Sequence, residues 1–214
     1  MGLRVMVDPG HGGPVTRGYN YGAMANGVVE KDAVLEIGLE MRRLWPNEVR
    51  LTRSTDRLLS LSDRADIANR ANADVFVSLH MNAYNPRPSA RGWEIFHATG
   101  SETGLDWCKK VSPKVFQSFP NGWKNRGIKS ANYTVLTETS MPAILLEYGF
   151  LTNEQDAAWL RTKANLHRLA LSTGIGLGLP YSNRKERDQV ITSPNIVVSR
   201  IEADLELLKK MIKQ

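Results

Sequence analysis

The sequence predicts an α/β fold, a mostly parallel sheet of about six strands with helices on both faces, plus a C-terminal amphipathic helix. Three observations predict it. Short β-branched or apolar runs stand between turn residues at residues 4–7, 49–52, 75–79, 93–97, 133–136 and 143–147. Helical patterns lie between most of these runs, and that alternation argues for a sheet covered on both sides. His11, His80 and Glu147 each stand at or just past the end of an apolar run, where an open α/β sheet gathers its working side chains.

Taken in order, the run LRVMV gives the first strand and breaks into DPGHGG, where Asp8 and Pro9 stiffen the exit and three glycines let the backbone turn closely. Over residues 31–45, Val34, Ile37, Met41 and Leu44 recur at three and four, and Pro46 ends the helix. The strand at 49–52 follows. A second helix is expected over 60–72, with Ser60 and Asp63 as an N-terminal capping pair and Leu61, Ala65, Ala68 and Ala71 facing inward.

After the strands at 75–79 and 93–97, a helix over 102–116 sets Leu105, Cys108, Val111 and Val115 on one side, with Pro113 expected to kink or interrupt it. The strands at 133–136 and 143–147 come next, then helices over 154–161 and 162–178. Beyond Pro180 the stretch YSNRKERDQVITSPN is polar and aperiodic, so one domain over 1–180 is expected to pass into a linker over 181–195. Over 196–214, Val198, Ile201, Leu205, Leu208 and Ile212 have amphipathic helical spacing. So short a helix is marginal alone in water, so docking on its own domain, self-association with a second copy, or membership of a further module are its open fates.

The 214 residues, 42% hydrophobic and 23% charged, suffice for one core and an appendage. No run approaches the ~20 apolar residues of a transmembrane segment, and the N-terminus enters a strand without a signal-peptide pattern. The expectation is synthesis in the cytoplasm with any export by another route. Cys108 is the single cysteine, which excludes an intramolecular disulfide and a cysteine-rich zinc site. Any metal must then be held by nitrogen and oxygen. A net charge of +6 favours nucleic acid, anionic lipid or an acidic cell wall, but the cations are scattered and no nucleic-acid module is visible, so no nucleic-acid partner is expected.

Glu30 lies four residues before Val34, on the apolar face of its helix, where a carboxylate needs a partner; a place in the first turn favoured by the helix dipole is the alternative. His11 in its turn and His80 at its strand end each read singly as structural histidines, with Asn82 nearby to orient a side chain or a substrate. Together, two imidazoles and a carboxylate supply three ligands to zinc and leave a fourth position for water, the layout of a hydrolytic site. Glu147, between ILL and YGF, sits in apolar surroundings that raise a carboxyl pKa, as a general base requires; a buried ion pair with an arginine is the alternative. His97 and His167 read as structural or surface residues, while Trp93, Tyr133 and Arg126 are candidates to line a groove. No nucleophile elbow, phosphate-cradling loop or dinucleotide fingerprint is present, which disfavours serine, phosphoryl and hydride chemistry.

The segments VDPGHGG, NGVVEKD, LTRSTDRLLSLSDRADIANRANADVFVSLHMNA and MPAILLEYGFLTNEQD, in order over residues 7–156, resemble the zinc-dependent N-acetylmuramoyl-L-alanine amidases of the amidase-3 family, found among bacterial autolysins and phage endolysins. The resemblance implies a mixed sheet, one Zn2+ on His11, Glu30 and His80, and Glu147 as the catalytic residue. It implies bacterial peptidoglycan as substrate, cut between the lactyl group of N-acetylmuramic acid and the first L-alanine of the stem peptide. Anionic wall polymers are a further partner that the basic charge suits. The missing export signal and wall-binding repeats point to the endolysin type, acting on the wall after release. A zinc peptidase cutting within the stem, and a wall-binding module without catalysis, are the rival readings.

Overall fold

In the computed structural model, which describes residues 2–14 and 21–181, the chain alternates strand and helix as its pattern requires. In order the elements are β1 (Val5–Pro9), β2 (Met24–Ala25), β3 (Val28–Val29), α1 (Glu30–Leu44), β4 (Val49–Leu51), α2 (Leu61–Arg70), β5 (Val75–Asn82), β6 (Trp93–His97), α3 (Glu102–Phe116), β7 (Asn125–Ser130), α4 (Thr134–Thr137), β8 (Ala143–Phe150), α5 (Glu154–Leu160) and α6 (Lys163–Leu177). β2 and β3 form a hairpin whose turn residues, Asn26 and Gly27, have φ of 50° and 74°, the Asn-Gly geometry that suits a two-residue turn. The proposed linker and C-terminal helix lie, but for residue 181, outside the described residues.

The main sheet has the order β4-β1-β5-β8-β6-β7. Every neighbouring pair is parallel except β6 with β8, so the sheet is mixed. Because side chains alternate across a strand, the two faces feed two cores. Val5, Val7, Val75, Val77, Leu79, Ile144 and Leu146 pack beneath α1, α3 and α6, and Met6, Phe76, Phe96 and Leu145 pack with Ala68 of α2 and Val135 and Leu136 of α4. Burial on both faces explains why the central strands read as continuous apolar runs. Among the described residues no helix is long and apolar enough to cross a membrane.

Ser60 and Asp63 close the expected capping box of α2, with Asp63 N–H to Ser60 Oγ at 3.0 Å and Ser60 N–H to Asp63 Oδ2 at 3.1 Å. Other details depart from expectation. Residues 133–136 are not a strand: Tyr133 caps the single turn α4, which drops Val135 and Leu136 into the second core. The β-branched run fits a strand or a packed turn equally, and tertiary packing decides. The sixth strand is β7, an edge element whose polar sequence NRGIKS carries no apolar signature because every residue is exposed or half-buried. Pro113 does not interrupt α3. It sits in the last turn, where its missing N–H withholds one helical hydrogen bond, from the carbonyl of exposed Lys109, and no later turn depends on it. Leu61, the first residue of α2, is 49% exposed rather than inward, and Trp93 is a core residue, 0% exposed, rather than a groove wall.

Candidate active site and metal centre

Three parallel strands deliver the site: His11 stands past the C-terminal end of β1, as expected, whereas His80 and Glu147 project from within the C-terminal halves of β5 and β8, which run on to Asn82 and Phe150. β1 runs into the DPGHGG turn, where His11 takes a left-handed φ of 59° followed by Gly12 at 127° and Gly13 at 92°. A non-glycine residue adopts that conformation when its surroundings dictate it. Here two buried arginines do so. Arg53 donates to the carbonyls of Pro9 (2.8 Å), Gly10 (2.9 Å) and Lys31 (2.7 Å), and Arg64 donates to those of Pro9 (2.9 Å) and His11 (2.6 Å). Arg64 also pairs at 2.7 Å with Asp8, which is 0% exposed and accepts from Thr52 Oγ1 (2.6 Å) and Ser78 Oγ (2.8 Å). The loop that carries His11 is thus clamped through its own carbonyl oxygens.

Glu30 is the first residue of α1 and is buried, so both readings of it hold: it meets the helix N-terminus and it points inward. The β2–β3 hairpin sets this helix start through Glu30 N–H to the Ala23 carbonyl at 2.9 Å. Its Oε2 accepts from Ala23 N–H at 2.7 Å and its Oε1 from Met81 N–H at 3.0 Å. The same Oε1 lies 2.9 Å from His80 Nδ1 and 3.0 Å from His11 Nε2. The two imidazole rings meet edge to face with centroids 4.8 Å apart. Burial, the largest single influence, would raise the Glu30 pKa, but the hydrogen bonds and charge of His11 and His80 outweigh it and hold the carboxyl below its usual range.

One potential ligand atom from each of His11, Glu30 and His80 lies within 4.8 Å of the others, so this trio could hold a metal ion. Gly10 makes room for it, since a Cβ there would stand 2.3 Å from the His80 ring. Glu147 stands opposite His80 in the β5–β8 register. Its Oε2 is buried without a hydrogen-bond partner, and the arginine partner considered from the sequence is not found among the described residues. Burial first, and then the charges of Glu30 and Glu94, push the Glu147 pKa well above the usual carboxyl range against the opposing pull of Lys129. All four residues border a cleft of about 630 Å³ whose walls include Leu61, Asn82, Asn132, Tyr133, Val135 and Leu145.

The family model for N-acetylmuramoyl-L-alanine amidase matches residues 5–178, nearly all of the described chain. The chain belongs to the N-acetylmuramoyl-L-alanine amidase family. It is 36% identical over 192 residues to an N-acetylmuramoyl-L-alanine amidase of Bacillus licheniformis, covering 86% of this chain and 70% of the relative. It is 37% identical over 186 residues to the endolysin of Bacillus phage SPP1, covering 83% of this chain and 65% of that protein. The solved N-acetylmuramoyl-L-alanine amidase of Nostoc punctiforme superposes with a TM-score of 0.74 at 34% identity, covering 82% of this chain and 94% of its own.

Of the other amidase residues singled out from the sequence, Tyr133 lines the cleft, while Asn82 orients a side chain, donating through Nδ2 to Glu94 Oε1 at 2.7 Å. Arg126 pairs with Glu94 beside the cleft and keeps a quarter of its side chain exposed, though it is not part of the cleft wall. His97 is half-buried with Nδ1 2.9 Å from the Ala98 carbonyl, and His167 pairs with Glu40, so both are structural. The sequence reading missed Arg53, Arg64 and Glu94. In TRSTDRLLSLSDR the arginines look like a solvated face, and only the fold turns them onto the β1 loop.

Proposed function

We propose that one zinc ion held by His11, Glu30 and His80 serves the hydrolysis of the amide between the N-acetylmuramic acid lactyl group and the stem L-alanine of bacterial peptidoglycan, with Glu147 as general base and then general acid. The observation that carries the reading is a partnerless buried carboxylate oxygen next to a compact His–Glu–His cluster in an open cleft. The cluster suits zinc on its own terms. Neutral nitrogen and carboxylate donors are what the ion takes at hydrolytic sites, and the 2.9 and 3.0 Å separations approach the ~3.3 Å edge of a tetrahedron with bonds of ~2.0–2.1 Å. Bound zinc supplies Lewis acidity, polarising a carbonyl and bringing the acidity of water near neutral pH.

The chain's own residues do the rest. Ala23 and Met81 N–H groups fix the Glu30 carboxylate, so its charge stays aimed at the two imidazoles. The clamp of Arg53 and Arg64 holds His11 before any ligand arrives. Glu147, kept basic by burial, takes the proton of the attacking water and passes it to the departing alanine nitrogen. Leu61, Val135 and Leu145 line the cleft with apolar surface, which removes competing water from the reacting amide. The bacterial cell wall is where this activity acts.

Digestion of purified cell walls followed by mass spectrometry tests the proposal. The expected products are glycan with a free lactyl carboxylate and intact stems with a new alanine amine, lost on chelation and restored by zinc. Release of interior stem fragments would make the protein a peptidase, binding without clearing would make it a wall-binding module, and full activity of chelated protein would remove the metal.

A further inference from the structure

A row of charged side chains crosses the site face of the sheet and continues past the cleft. Register aligns His80 of β5 with Glu147 of β8, Glu147 with Glu94 of β6, and Phe96 with Lys129 of β7. Glu94 is 3% exposed and accepts three side-chain donors: Asn82 Nδ2 donates to Oε1, while Arg126 Nε (2.5 Å) and Lys129 Nζ share Oε2. One carboxylate therefore tethers two cations, leaving a local excess of one positive charge. Neutralising Glu94 requires only one of them.

The two cations are also fixed in direction. Arg126 lies over the Phe150 ring at 4.8 Å and Lys129 over the Phe96 ring at 5.7 Å, and Phe96 in turn touches Tyr133 of the cleft wall. Their side chains keep 26% and 36% exposure, so donors remain for an incoming anion. Within this row the permanent cations are Arg126 and Lys129, both on β7 beside Glu94. A stem peptide is acidic. Its second residue, attached through its side-chain carboxyl, carries an α-carboxyl that is free in some walls and amidated in others.

We propose that Lys129 and Arg126 form a subsite for that free α-carboxylate, so that the leaving stem lies toward β7 and the glycan toward Leu61 of α2. The proposal rests on the amidase reading above and deepens it. The reach agrees: Glu94 is one strand, ~4.8 Å, from Glu147, and the cations stand one hydrogen bond beyond. On the substrate, one residue of ~3.8 Å separates the alanine Cα from the Cα that bears the carboxyl. Glu94 is then a positioning residue that holds the two donors still.

Two soluble substrates test it, N-acetylmuramoyl-L-alanyl-γ-D-glutamyl-L-lysine and its α-amidated counterpart, assayed with zinc-loaded protein. The parent should show a KM about tenfold lower for the free carboxylate, with similar kcat. In K129M and R126Q that ratio should fall toward one, and K129R should restore it. A parent that does not discriminate, or variants slowed by the same factor on both substrates, would overturn the subsite. Calorimetric titration of the parent with the two free tripeptides gives a second arm that needs neither turnover nor variants. Tighter binding of the carboxylate peptide, weakened by salt, supports the subsite, and equal binding refutes it. Absence of a new alanine amine from either substrate would instead count against the amidase reading.

Discussion

Replacing Glu147 by glutamine separates the proton chemistry of the site from its metal chemistry. The amide is isosteric, and the buried Oε2 position lacks a hydrogen-bond partner in the parent, so the change introduces little new packing. What it removes is a group able to accept and return a proton. General acid-base catalysis contributes roughly 10²–10⁴-fold, or about 2.7–5.4 kcal/mol at ~1.36 kcal/mol per decade, and wall-lysis rates of E147Q should fall by that factor. Zinc content, measured by elemental analysis, should stay at the parent value because Glu147 lies outside the His11–Glu30–His80 cluster. A third readout is the melting temperature of metal-free protein against pH. The folded-state pKa of Glu147 is raised above its ordinary 4.5, so the native state keeps a proton that the unfolded chain has released. The stability from this protonated carboxyl is fully present below the ordinary value and is lost as pH climbs through the raised one. E147Q cannot ionise and should melt higher than the parent at pH 8, with the difference shrinking toward pH 4. Lysis by E147Q at a rate comparable to the parent would refute the base assignment, and a melting difference that grows toward acid would refute the account of its pKa.

Four further outcomes follow from the same geometry. H80A should bind well below one zinc per protein, and an unchanged metal content would remove His80 from the ligand set. G10A places a Cβ 2.3–2.8 Å from three atoms of the His80 ring, so zinc affinity by competition titration should weaken on the order of 10–100-fold, as for lost supporting contacts at metal sites; unchanged affinity would mean the ring is not held there. R64M strands the buried Asp8 carboxylate and should cost about 3–5 kcal/mol, seen as a fall in melting temperature of roughly 6–20 °C for a chain of this size; a fall under about 3 °C would show that Thr52 and Ser78 suffice for Asp8. K129M and R126Q should erase the preference for a free stem carboxylate, read as the ratio of KM values on the paired substrates.

The sequence by itself determined most of the scaffold and named the candidate site residues. Continuous apolar runs marked the central strands, three-and-four spacing marked the principal helices, and Ser60 with Asp63 marked a helix start, because each signal is written in neighbouring residues. The same locality singled out His11, His80 and Glu147 beside apolar runs, although β5 and β8 continue past His80 and Glu147. It failed at β7 and at 133–136, since an edge strand lacks an apolar face and a short β-branched run packs as readily in a turn. What only the tertiary structure decided is how charge is partnered. Arg53 and Arg64 became a clamp on the His11 loop, Glu94 became a tether for Arg126 and Lys129, and Glu147 was left with a buried oxygen and no partner. Those assignments join residues tens of positions apart, and their energies depend on distance and desolvation, quantities fixed once the sheet order has placed the strands side by side.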